Sequence, residues 1–378
     1  MITDYNYLQN ESWAYEFNTK LDSESTLVLV FSNLNLSEVQ PYINQILDIF
    51  PQSVMTGCST AGQFLQGELL NSTVLVIIIQ FEKTAIRQFC TEVTSAGMSF
   101  EAGMELADEL KQSDQLQSVL ILSKGLEING SQLIEGLNTQ LDKNIIISGG
   151  MAGDNESFQQ TWTIDNSSRP NPNNITALGF YGENLSVSTS YKGGWDMIGV
   201  DRIVTKAQNN ILYEIDNIPA LDLYKQYLGK FAKGLPSSGL FFPLAVVDSD
   251  NPFVYKIRTL LAIDEKDNSM TFAGDIPNGS IVRLMHADSD RLIDGAIAAS
   301  DQIEYNNLAS AFLLSVSCVG RKMVLGQRAE EETESIQNRI PKNCLQAGFY
   351  SYGEFSQQPD KVCELHNQTM TLSYLWEK

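Results

Sequence analysis

Residues 144–154 read NIIISGGMAGD, an apolar run that ends in three glycines and a small residue. Ile145, Ile146 and Ile147 are β-branched and stiff at χ1, so they suit a pleated, buried strand. Gly149, Gly150 and Gly153 then allow a tight turn or a close backbone approach. A strand that feeds a glycine-rich turn is a place where an α/β protein presents main-chain N–H groups to a small ligand. Residues 54–62, VMTGCSTAG, repeat the device with Gly57 and Gly62.

The correspondence extends on both sides of the two turns. Leu27 to Phe31 is an apolar run, followed by Leu36, Val39, Ile43 and Ile46 at helical spacing and, after the turn, by the strand Val74 to Phe81. In the second copy the same places hold Val119 to Leu122, then Leu133, Ile134, Leu137 and Leu141, then Ala177 to Tyr181. A third copy is outlined by Ala311 to Cys318, a helical stretch near Glu330 to Arg339, Leu345 to Phe355 and Thr369 to Leu375. MSFEAGMELADELK and DRLIDGAIAASDQI, leading into copies two and three, each carry an apolar stripe.

The chain has 378 residues, 43% of them hydrophobic, which is enough for two ordinary domains and a sizeable core. Its formal net charge of −21 argues against nucleic acid or an anionic membrane as partner. The N-terminus has no basic and apolar leader pattern, and the longest apolar runs fall far short of a membrane span, so the expectation is a cytoplasmic protein without membrane insertion. Five cysteines without a C-x-x-C pair fit a reducing compartment and give no legible zinc site.

Along the chain, residues 1–23 read as an N-terminal arm, 24–228 as a first domain holding repeats 24–95 and 96–183, 229–239 (GKFAKGLPSSG) as a linker, and 240–378 as a second domain. TIDNSSRPNPNN reads as an exposed loop between two strands. From Leu185 the pattern turns to hairpins, with RIVTKAQNNILYEID as two strands about an Asn-Asn turn and a short helix from Pro219 to Leu228. The segments FFPLAVVD, FVYKIRTLLAID and SMTFAGDIPNGSIVRLMHAD read as an antiparallel meander.

GCSTAG at 57–62, GGMAGD at 149–154, GGWDMIG at 193–199 and VTKA at 204–207, with FPL at 242–244, GDIPNG at 274–279, SCVGRK at 317–322, GFYSYGE at 348–354 and HNQT at 366–369, together resemble a FIST sensory protein with its N-terminal and C-terminal parts. The resemblance implies a cytoplasmic small-ligand sensor that works beside a histidine kinase, a cyclic-di-nucleotide enzyme (diguanylate cyclase or phosphodiesterase) or a chemoreceptor. It also implies amino acids as ligands for the family, and haem-based nitric oxide sensing for some free-standing members.

Each candidate residue carries a functional reading and a plainer one. Gly57, Cys58, Ser59 and Gly62, with Gly149, Gly150 and Gly153, would line a pocket for a carboxylate or phosphate, or simply form tight turns. Strand alternation puts Tyr350, Tyr352 and Glu354 on one face, able to grip a ligand amine or to stand in solvent. Cys318, beside Arg321, would be a reactive thiol or a haem ligand, against a buried inert cysteine; Cys58 carries the same pair of readings. Trp195 would stack on a ligand or pack in the core. With only His286 and His366 in the chain, a metal cluster or a catalytic triad has little to work with, whereas haem needs one axial residue, for which His366 is the better placed. No G-x-G-x-x-G opening a helix, P-loop or nucleophile elbow is present. The expectation is therefore an α/β protein of two related halves, helices layered on mixed sheets, with a pocket between them. Its expected role is a non-enzymatic sensor of a small molecule that acts on a separate signalling protein; an amino-acid sensor without haem and an enzyme using Cys318 or Cys58 are the competing readings.

Overall fold

The computed structural model describes residues 1–378 except 71–73, 114, 248–254, 307–309 and 358–361. Its architecture is the expected α/β layering, and the repeat outlined above is present three times. In each copy two parallel strands flank a helical connection and a third strand returns antiparallel. These are Thr26–Ser32, Val54–Ser59 and Val74–Gln80 in the first sheet, Leu116–Ser123, Ile146–Met151 and Asn174–Tyr181 in the second, and Ala311–Cys318, Cys344–Ser351 and Met370–Glu377 in the third. The crossover helices are Leu36–Ile49 and Gly130–Gln140, with the pair Val319–Leu325 and Ala329–Gln337 in the third copy. Local chemistry starts them: Asn35 accepts from the Glu38 amide at 3.0 Å while Glu38 accepts from the Asn35 amide at 3.2 Å, a capping box.

A fourth strand completes each unit on the far side of the returning strand: Ile2–Gln9, Ala85–Glu92 and Leu185–Lys192. The N-terminal segment is thus an integral strand, paired with Val74–Gln80 from Ile2 to Tyr7, and the arm expected there is part of the first sheet. Its sequence hides this because ITDYNYLQ lacks the aliphatic run that marks the other strands.

The hairpin after each glycine-bearing strand does not stay in its own sheet. Gln63–Leu65 and Glu68–Leu70, from the first copy, join the third sheet against Cys344–Ser351. Gly353–Ser356 and Glu364–His366, from the third, join the second sheet against Ile146–Met151. Thr163–Ile164 and Pro170–Asn171, from the second and within the loop expected at TIDNSSRPNPNN, join the first against Val54–Ser59. The exchange closes as a ring of three. Apolar faces of all three sheets share one core, in which Phe31, Leu122 and Val316 are buried and the Phe31 and Phe349 rings lie 4.8 Å apart.

Between the edge strand Leu185–Lys192 and the helix Ser289–Ser300 of the third unit sits an additional lobe. Its eight-stranded antiparallel arrangement runs from Asp196–Gln208 to Ile281–His286 and covers the helix Ala220–Leu228 with a core of its own. The Asn209-Asn210 turn follows the sequence reading, but the expected meander does not form: the stretch FVYKIRTLLAID splits into Tyr255–Arg258 and Leu260–Asp264, which lie at opposite ends of the arrangement, each in its own hairpin, with Leu244–Val247 and with Ser269–Phe272. Residues 229–239 form 3-10 turns inside this lobe, where the Tyr224 hydroxyl donates to the Phe242 carbonyl at 2.7 Å. Strands from before and after that segment pair directly, Asp196 with His286 and Ile203 with Ile281.

Candidate functional site

The three glycine strands meet at the centre of the ring. A Cβ on Gly57 would lie 1.9 Å from the Val30 carbonyl oxygen and one on Gly149 would lie 1.9 Å from that of Ile121, so these glycines sit inside their strands because the parallel neighbour comes too close for a side chain. Beyond them the corners bind one another. The Gly153 amide donates to Ser59 O at 2.9 Å, the Ala61 amide to Tyr350 O at 2.8 Å, and the Tyr350 amide to Gly62 O at 2.8 Å. Tyr352 closes the circuit by donating to Met151 O at 3.3 Å. The corners converge as equivalent parts of a repeat should, but the amides that would have cradled an anion are engaged with carbonyls of neighbouring corners.

The other expected site residues surround this junction and are likewise engaged. Tyr350 donates to Glu332 Oε2 at 3.2 Å, and Tyr352 bonds Asp154 while stacking on Phe158 at 4.5 Å. Glu354 accepts from Ser351 Oγ and from the Thr369 amide and hydroxyl. These three side chains do not share one face, because the chain leaves the third sheet after Ser351 and enters the second at Gly353. Burial pushes the Glu354 carboxyl up to about 8, against the pull of its donors. The Arg321 guanidinium is buried on Glu332 at 2.5 Å and also donates to Gly193 O and, at 2.7 Å, to Leu292 O. Trp195 is a packed residue whose indole donates to Gln368 O at 2.9 Å. Cys58 and Cys318 are buried, and burial pushes both thiols well up, the opposite of a reactive thiolate.

His366 is buried with Nε2 at 3.1 Å from Ser356 O and its ring 3.7 Å from that of Tyr191. Burial lowers it to about 4, so it is neutral. Nε2 and one ring face are thus both engaged within the fold. Among the described residues there is no group of three or more His, Cys, Asp or Glu placed to hold a metal ion, and no helix is long and apolar enough to cross a membrane.

A cleft of about 570 Å³ lies instead between the lobe and the second unit. Its lobe wall is the hairpin Leu244–Val247 and Tyr255–Arg258 with the turn at 275–280; its other wall is the helix Gly130–Gln140 and residues 362–365. Arg258 is buried at its base and, among the described residues, donates to main-chain carbonyls alone: Asp275 O at 3.0 Å, Ile257 O at 3.1 Å and Leu365 O at 3.3 Å. Among the described residues no carboxylate pairs with it directly. Burial lowers the guanidinium to about 10, while the Asp275 and Glu364 charges pull it back up. Asp275 is held by Asn129 Nδ2 at 2.9 Å and Gln132 Nε2 at 3.2 Å, and Glu364 by Lys256 at 2.7 Å. Ser131 Oγ, at the start of the helix, is buried without a hydrogen-bond partner among the described residues. Gly274 leaves the room that the cation needs, since a Cβ there would lie 2.9 Å from the Arg258 guanidinium carbon. Ile134, Val246 and Leu365 supply apolar wall.

None of the residues singled out from the sequence lines this cleft, though His366 directly follows its wall. The one signal that pointed to it is GDIPNG at 274–279, which supplies Asp275, Pro277, Asn278 and Gly279 to the lining. Arg258 itself gave no signal in a strand of alternating polar and apolar residues.

Comparison with known proteins adds three findings. Residues 26–218 match the FIST N domain and residues 220–357 the FIST C domain. An uncharacterized protein of Methanocaldococcus jannaschii, MJ1623, is 21% identical over 382 residues, covering 90% of this chain and 71% of that protein. A crystal structure of chorismatase aligns over 99% of this chain and 98% of its own with 8% identity and a TM-score of 0.36, a likeness too low to bear on function. The boundary between the two matches falls near residue 219, inside the lobe rather than between separate bodies. With both parts present in order over most of its length, the chain belongs to the FIST family of signal-transduction sensor proteins.

Proposed function

We propose that this chain is a non-enzymatic cytoplasmic sensor whose ligand is an amino acid or a small carboxylate. The ligand binds in the cleft at Arg258, and the bound state is passed to a separate signalling protein, such as a histidine kinase or a cyclic-di-nucleotide enzyme. The observation that carries the reading is the buried, charged Arg258 facing a cleft, with main-chain partners alone among the described residues. A guanidinium in that state favours an anion that brings two oxygens to its planar fork. Asp275 and Glu135 on the facing walls suit the amine of an amino acid. Ser131 Oγ would gain the partner it lacks. Raised thiols at Cys58 and Cys318 speak against the cysteine-enzyme reading, and haem-based nitric oxide sensing finds no support at His366.

Thermal-shift titration with the common amino acids, acetate, succinate and citrate tests this, because a ligand that binds only the folded form raises the midpoint. At least one carboxylate is expected to do so, and Arg258→Gln to abolish the shift. Glu135→Trp, an exposed rim position that would plug the cleft without touching Arg258, is expected to abolish it as well. The reading is overturned if no carboxylate shifts the wild type, or if the shift survives both substitutions.

A further inference from the structure

On the face of the lobe away from the junction, large apolar side chains stand clear of the protein: Val200 is 59% exposed, Phe231 48% and Tyr227 43%, with Ile198, Ile203 and Ile218 beside them. Ile198, Val200 and Tyr227 rim a second cavity of about 190 Å³, floored by Leu223, Leu244 and Leu284, which is room for one large apolar side chain. Its mouth is shaped by a bulge, since the pairing jumps from Ile198 with Leu284 to Arg202 with Val282. Before the bulge residues 196–198 pair with Ile281–His286 alone among the described residues, and pairing with Ile211–Ile215 begins at Val204.

Charge distinguishes the segment that carries Tyr227 from the rest of the chain. Residues 220–234 carry Lys225, Lys230 and Lys233 against Asp222, a net +2 in a chain of −21. Lys225 is paired with Glu265, whereas Lys230 and Lys233 have no ion-pair partner among the described residues; Lys230 lies over the ring of Phe231.

We propose that this face is a docking site for an amphipathic helix of a partner protein, with an apolar anchor side chain entering the cavity and acidic residues meeting Lys230 and Lys233. A concave apolar cavity lined by Tyr227, three residues before Lys230 and six before Lys233, matches such a helix in shape and in sign. The site lies apart from the Arg258 cleft and shares no lining residue with it.

The test is photocrosslinking of the full chain in the cells that make it, with benzoylphenylalanine incorporated at position 200 or 227, and at the exposed position 158 as control. Adducts are digested and sequenced. The expected adduct, from 200 and 227 but not from 158, is a protein segment with apolar residues at helical spacing and a net negative charge. The double substitution Lys230→Glu and Lys233→Glu is expected to lower its yield at least fivefold while leaving the melting midpoint and carboxylate binding unchanged. Adducts on lipid or on a second copy of this chain overturn the proposal, as do equal yields from 158, no adduct, or a yield indifferent to the charge reversal. Loss of carboxylate binding in unmodified protein would count against the cleft alone.

Discussion

Two polar regions of this molecule are built from similar parts to opposite effect. At the junction of the three glycine strands, main-chain amides, Arg321, Glu332 and Glu354 all find partners within the fold. At the cleft, among the described residues, Arg258 keeps main-chain partners only and Ser131 Oγ has none. A polar group whose bonds are closed within the fold fixes the fold; one left open beside a cavity is available to something else. Glycine-rich corners are therefore poor guides to a ligand site when their neighbours are other corners of the same kind.

The largest expected effect separates glycines of the two regions. Gly149→Ala should cost more than about 4 kcal/mol in urea unfolding or prevent folding, because the new Cβ would meet the Ile121 carbonyl. Gly279→Ala, at the cleft and with open space around it at φ +80°, should cost only about 1–2 kcal/mol. Equal losses would erase the distinction. Next come the two buried arginines. Arg321→Met strands the Glu332 carboxylate and should cost about 3–5 kcal/mol, with the Arg321→Met and Glu332→Leu pair recovering much of the loss. Arg258→Met strands no paired carboxylate and should cost clearly less in the same denaturation series.

Titration sharpens the junction's periphery. Unfolded imidazole takes a proton near 6.5 but folded His366 only near 4, so its contribution is held above pH 6.5 and lost as the pH falls toward 4. The loss approaches about 3 kcal/mol and should vanish from the pH profile of His366→Gln. Glu354 works in the other direction. Its folded carboxyl holds a proton up to about 8 against an ordinary 4.5, so stability declines as pH rises between those values, and Glu354→Gln should flatten that decline. Smallest is Ser131→Ala: unfolding should change by no more than about 0.5 kcal/mol, since the hydroxyl has no partner to lose, while carboxylate affinity measured by calorimetry should fall severalfold.

The strands of the repeat were legible because β-branched runs such as Ile145–Ile147 and Val74–Phe81 leave little alternative. The third copy was legible in outline for the same reason. What could not be read was where the short hairpins would go: QFL and ELL carry no period that distinguishes their own sheet from the third one. The cleft was equally hidden, because Arg258 meets Leu365 across more than a hundred intervening residues and neither belongs to a motif of known chemistry. Tyr350, Tyr352 and Glu354 misled for a different reason: alternation assumes one strand, and the chain changes sheets at Tyr352.

The ring of borrowed hairpins bears on how the chain can be cut. A fragment ending after the second unit would keep the first sheet's borrowed hairpin, lose the second sheet's, and carry 63–70 with no strand to receive it. Such a piece presents bare strand edges and should aggregate rather than fold, which ties the first two sheets to the presence of the third unit.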